Sequence, residues 1–127
     1  MYKSTLYLLF LAFIFYKCSK EATAPTSIYG RWQLTEELAD PGDGSGRWQP
    51  VSKNTDKYII FNEDGTIKSN FFGDMVAFSI KGDSYMEITN STDEQTTLYW
   101  YELVGKTLTL SPPCIEACGM RFKKGNP

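Results

Sequence analysis

No histidine occurs among the 127 residues. That absence removes Ser-His-Asp and Cys-His triads, His-Glu-x-x-His zinc sites, and any general base that titrates near neutrality without a large shift. Charge of either sign is modest: 13 basic against 15 acidic side chains give a net −2, a poor match for nucleic acid. Cysteine is scarce, and its count of three is odd. No apolar run reaches the roughly 20 residues of a membrane-spanning helix. After residue 27 no stretch keeps an apolar 3.6-residue period for as many as ten residues. What remains, 42% hydrophobic with 15% aromatic and 22% charged residues, is ordinary for one globular domain.

The longest apolar run is LYLLFLAFIFY at residues 6–16, placed behind Lys3. A basic start and a short apolar run are the layout of an export signal. Cys18 follows almost at once. The segment resembles the signal of bacterial lipoproteins, which are cleaved before such a cysteine and acylated on it. Tyr16 and Lys17 stand where those signals carry small residues. Cys18-Ser19-Lys20-Glu21 resembles the start of surface-exported lipoproteins of some Gram-negative bacteria. The resemblance implies a signal at 1–17, a lipidated Cys18 with a tether to residue 27, and a domain at 28–124. It implies a cell-envelope lipoprotein, held in the outer membrane and facing the periplasm or the cell surface. Each acyl chain contributes about 0.8 kcal/mol per buried CH₂. Ordinary cleavage after Ala24, just before Pro25, is the competing outcome. Loss of 1–17 removes Lys3 and Lys17 and leaves 11 basic against 15 acidic residues, a net −4.

Beyond the tether, β-branched and aromatic residues alternate with polar ones between turn signals. Eight strands are expected, at 28–38, 57–61, 66–72, 75–81, 84–89, 96–103, 107–111 and 119–123. In the first, Trp32, Leu34, Glu36 and Leu38 are expected on one face. Asp64-Gly65, Gly73-Asp74 and Gly82-Asp83 read as turns. Short sequential hairpins make a meander, and eight antiparallel strands in a meander close into an up-and-down barrel. A two-sheet sandwich is the competing architecture; its long crossover would have to come from residues 39–56.

Gly30-Arg31-Trp32 opens the first strand. It resembles the Gly-x-Trp signature of lipocalins, in which a late arginine packs across the tryptophan at the closed end of the barrel. Arg121 in the last strand is the counterpart that the resemblance implies. Strand parity agrees: if the first strand runs from the closed end to the open end, the eighth finishes beside its start. Gly30, Trp32 and Arg121 are then a structural latch, worth roughly 0.5–2 kcal/mol as a cation–π contact. The chain has the size of small lipocalin-like bacterial lipoproteins and lacks the long helix of larger lipocalins.

Cys114 and Cys118 bracket three residues. In an exported protein their first reading is a disulfide clamping the loop before the last strand. Asp40, Asp43 and the neighbouring glycines superficially match a calcium loop, but Gly42, Gly44 and Val51 occupy ligand positions, so a metal site is not expected. The stretch reads instead as a mobile loop at the open end, with Trp48 available as a lid or contact. Glu36 and Glu102 are carboxylates that nothing in the sequence brings together. Asn90-Ser91-Thr92 spells a glycosylation sequon and reads as a polar loop.

Two functions follow as expectations. One is a membrane-anchored lipocalin-like protein that binds a small apolar or amphipathic ligand at the open barrel end, lined by Leu34, Trp48, Phe71, Phe78, Met86, Trp100 and Phe122. These bulky side chains equally suit a packed core. The other is a filled barrel that acts on a protein partner, or inhibits it, through loops 39–56 and 112–118. No catalytic residue, cofactor or nucleic-acid partner is expected.

Overall fold

The computed structural model describes residues 27–126. The expected signal at 1–17, Cys18 and the tether as far as residue 26 lie outside the described residues. Nine strands follow in order: β1 (Gly30–Ala39), β2 (Trp48–Pro50), β3 (Tyr58–Phe61), β4 (Ile67–Ser69), β5 (Met75–Lys81), β6 (Tyr85–Asn90), β7 (Thr96–Val104), β8 (Thr107–Ser111) and β9 (Cys118–Lys124). There is no helix among the described residues. All pairs are antiparallel, in the order β4-β3-β1-β9-β8-β7-β6-β5, with β2 attached to β1 off that path.

The ends of this sheet meet. Thr66 bridges to Ala77, and the Phe78 N–H donates to the Gly65 carbonyl at 2.9 Å. The result is a nearly closed eight-stranded antiparallel barrel, joined by β1 against β9 and by this short seam between β4 and β5. The expected barrel is therefore found, and the sandwich is not. The expected eight strands are all present, and the order around the barrel is the meander read from the sequence.

Alternation builds the core. In β3, Ile59 and Phe61 point in, and in β8 Leu108 and Leu110 do the same. They meet Trp32, Leu34, Met86, Ile88 and Phe122, all fully buried. Phe78 packs edge-on against Phe61 at 4.8 Å between ring centroids, a favoured aromatic geometry. The turn into β4 shows why its residues are polar: Gly65 sits at φ +84°, where a side chain is strained. Asp64 accepts hydrogen bonds from both the N–H and the hydroxyl of Thr66, which holds its carboxyl below the usual carboxylate range.

Two features depart from expectation. Residues 39–56 are not all loop, because β2 adds a three-residue strand to the outer half of β1. And Trp32, Leu34, Glu36 and Leu38 do not share one face. The β1–β9 register shifts between Leu34 and Glu36, so a β-bulge adds one residue to β1. An extra residue reverses inside and outside beyond it. Leu34 pairs with buried Phe122, whereas Glu36 pairs with Arg121 on the outer surface.

Candidate functional site

The two ends of the barrel are built differently, and the candidate site belongs to one of them. At the closed end, the backbone N–H of Lys124 donates to the Lys106 carbonyl and that of Gly125 to the Arg31 carbonyl. Trp32 lies inside, fully buried, and its indole N–H donates to the Ile28 carbonyl at 2.6 Å. Its register partner is Lys124, whose ammonium lies 4.4 Å from the indole centroid. The same ammonium donates to the carbonyls of Ser27, at 2.9 Å, and Tyr29. Burial pushes the Lys124 pKa down. Gly30, at φ +107°, carries the chain around this head group; a Cβ there would lie 3.2 Å from Nζ.

The expected latch of Trp32 with Arg121 is therefore corrected. Phe122 points inward, so its neighbour Arg121 points outward and cannot reach an interior indole. The cation that packs on Trp32 stands three residues later, at Lys124. Arg121 instead lies 3.8 Å from the centroid of the Trp48 ring and pairs with Glu36 at 3.3 Å. Trp48 can lie flat there because residue 119 is glycine, where a Cβ would come within 2.9 Å of the indole edge. Positioning Trp48 is the structural work of β2.

The seven candidate ligand-binding residues are not brought together. Leu34, Phe78, Met86 and Phe122 pack on one another in the core. Phe71 is half-buried, 4.1 Å from Phe72 and 6.3 Å from Phe122 between ring centroids, and roofs the interior. Above it Lys57 pairs with Glu37 at 3.6 Å. Trp48 lies beneath Arg121, and Trp100 faces outward opposite Tyr85. Glu36 and Glu102 are separated by β9 and β8, roughly 14 Å of sheet. Among the described residues, no three His, Cys, Asp or Glu side chains gather as metal ligands.

The opposite end carries the long connections. Asp40 organises the first of them. Its Oδ1 accepts from the N–H groups of Gly42 at 2.8 Å, Asp43 at 3.2 Å and Gly44 at 3.1 Å, and its Oδ2 accepts from Gly46 at 2.9 Å. These bonds, led by Gly42 and Gly46, hold its carboxyl below the usual range. The lone pairs that a calcium ion would need are spent on the backbone. Gly46 has to be glycine, since a Cβ there would lie 2.8 Å from the Asp40 side chain.

The second connection is stapled. Cys114 and Cys118 form a disulfide, and the Cys114 N–H donates to the Pro112 carbonyl at 2.9 Å. The Asp40 N–H donates to the Ala117 carbonyl at 2.9 Å, so the two loops are tied together. Between the half-cystines Ile115 is wholly exposed. The sequence reading passed over this residue, although an apolar residue inside a five-residue disulfide ring has no route to a core.

Two clefts border these loops. One, of about 320 Å³, opens where β1 passes from β3 to β2, with Leu34, Pro50 and Val51 in its wall. The other, of about 270 Å³, lies beside the disulfide against Leu38, Pro112 and Met120. In the connections at this end seven carboxylates, Asp40, Asp43, Asp56, Asp74, Asp93, Glu94 and Glu116, outnumber the three cations Arg47, Lys53 and Lys57. Comparison with known proteins gives no match to family models, to curated sequences or to solved structures. The nearly closed antiparallel barrel is compatible with a lipocalin-like fold.

Proposed function

We propose that the chain is a small lipocalin-like lipoprotein of the cell envelope, anchored through acyl chains on Cys18, whose filled barrel presents a protein-interaction surface made by loops 39–56 and 112–118. On this reading it is not an enzyme and holds no cofactor. The observation that carries the proposal is a contrast in one molecule. The interior is occupied by the protein's own side chains, from Trp32 to Phe122, whereas the open-end loops are held in a set shape by the Asp40 carboxylate and the disulfide. A preorganised surface binds with less ordering cost than a mobile one.

A ligand-binding role for the same anchored protein falls back on the cleft beside Val51. At about 320 Å³ it sits at the bottom of the range of small-molecule sites, roughly 300–1,000 Å³. Titration of the three tryptophans with fatty acids, lysolipids and haem-like compounds separates the two roles. No saturable fluorescence change is expected; a saturable one restores the ligand reading. Deletion of 40–47 is expected to abolish capture of a partner from envelope extract while the barrel's circular dichroism persists. Intact mass of membrane-extracted protein tests the anchor: acylated Cys18 is expected, and a free N-terminus at Pro25 overturns it.

A further inference from the structure

The geometry points to Ile115 as the anchor side chain of that interface, inserted into an aliphatic pocket of another protein whose surrounding surface is basic. The inference rests on the proposed role of the open-end loops and names the residue and the partner chemistry within it.

Isoleucine is among the residues most often buried. Ile28, Ile59, Ile67 and Ile88 obey that rule here, at 9% exposure or less; Ile60 is half-buried and Ile80 on β5 is 40% exposed, while Ile115 is 100% exposed. An isolated apolar side chain on a surface is unremarkable in itself. Ile115 differs in how it is held. It stands inside the ring closed by Cys114 and Cys118, after two prolines, Pro112 and Pro113, that restrict the approaching chain. The Ala117 carbonyl takes the Asp40 N–H, and the Asp40 carboxylate fixes the adjoining loop through four backbone bonds. Glu116 lies against Gly42 on that loop. The side chain is β-branched and stiff at χ1, so it loses little rotamer freedom on insertion. A rigid apolar knob that is already ordered is what a hot-spot residue needs.

Charge selects the partner. The connections at this end of the barrel carry seven carboxylates against three cations, with Glu116 inside the ring itself and Asp40 and Asp43 on the loop tied to it; one of the seven, Asp56, is paired with Arg31. An acidic partner is repelled, and so is a second copy approaching by the same end; a basic rim is attracted and steered.

The test uses the full-length chain in its native envelope, with a diazirine amino acid replacing Ile115 and, in parallel chains, Val104 or Ser45. One discrete protein adduct is expected from position 115, at least tenfold above that from position 104 at the other end of the barrel. Its yield should fall at least tenfold when Cys114→Ser and Cys118→Ser open the ring, and severalfold at 0.5 M salt. The purified adduct partner should then bind the unmodified chain, with Ile115→Asp at least tenfold weaker and Ile115→Val within about threefold. An adduct with a second copy or with lipid, equal adducts at 104 and 115, or equal losses for Val and Asp overturn the inference. Adducts from position 45 without any from 115 overturn Ile115 and leave the loop surface standing. No adduct from either position overturns both.

Discussion

The closed end of the barrel is rigid because it is packed, and the open end because it is tied. At the closed end an interior indole, a lysine ammonium and two backbone carbonyls interlock, and hairpin turns such as that at Gly105-Lys106 leave little chain to vary. At the open end most of the order comes from a carboxylate surrounded by backbone N–H groups and from one disulfide, both outside the core. Order that does not depend on the core can be rebuilt with a different sequence without unfolding the barrel. The contrast shows how a fold this small can divide its labour: its interior is committed to packing, and its open-end loops are held by local devices.

The contrast can be broken most severely from inside. Trp32→Ala should destabilise the barrel by about 3–5 kcal/mol, the usual cost of emptying a buried aromatic site, measured by urea unfolding. A loss below about 1 kcal/mol would mean that the closed end is not packed as described. Opening the open-end ring with Cys114→Ser and Cys118→Ser should cost about 2 kcal/mol on the chain-entropy account of so short a loop. The barrel's near-ultraviolet circular dichroism should persist, since the ring touches little of the core.

A smaller pair of effects tests the register itself. Lys124→Ala should cost about 1–2 kcal/mol through the lost contact with Trp32 and the lost hydrogen bonds. Arg121→Ala should cost about 1 kcal/mol or less, because both its pair with Glu36 and its stack on Trp48 lie half-exposed on the outer wall. The reverse order in thermal melts would mean that the outer stack of Arg121 on Trp48 outweighs the contact of Lys124 with Trp32.

The smallest expected effect is local and depends on pH. The folded pKa of Asp40 lies below its ordinary value because backbone N–H groups favour the carboxylate. The stabilisation of the loop is therefore complete above the unfolded value, about 3.9, and is lost as pH falls through the lower folded value. Amide exchange at Gly42, Gly44 and Gly46 should stay slow at pH 5 and quicken only well below pH 4. In Asp40→Asn it should be fast at neutral pH, with exchange in β8 unchanged.

The eight barrel strands and their order were legible because alternation and turn residues are local signals. The faces of β1 were not, because a bulge depends on how β9 pairs with it. One extra residue at Leu34/Glu36 turned Glu36 outward and with it the meaning of Arg121. Parity along the barrel correctly brought the last strand beside the first, but which cation meets Trp32 is decided by register, and Lys124 carries no distinguishing neighbours. β2 was hidden because Trp48-Gln49-Pro50 is too short to alternate and contains a proline. Gly119 was the trace it left, a glycine near the start of a strand where an aromatic ring approaches. The disulfide was legible from the spacing of Cys114 and Cys118 together with the expectation of export. The core was only half legible, since the same aromatics serve a pocket or a core until their contacts are known.

The seam between β4 and β5 has its own consequence. Every other join in the barrel is a ladder of several residues, whereas this one is a single bridge, Thr66 to Ala77, with one added hydrogen bond. Thermal breathing should begin there, away from the stapled loops, and unroll the cylinder into a curved sheet with β5 as a free border. Val76 and Ile80 already lie open to water on that strand. Crowded molecules that breathe at this seam would offer one another an unpaired strand, so the weakest join of the cylinder is also where aggregation should start.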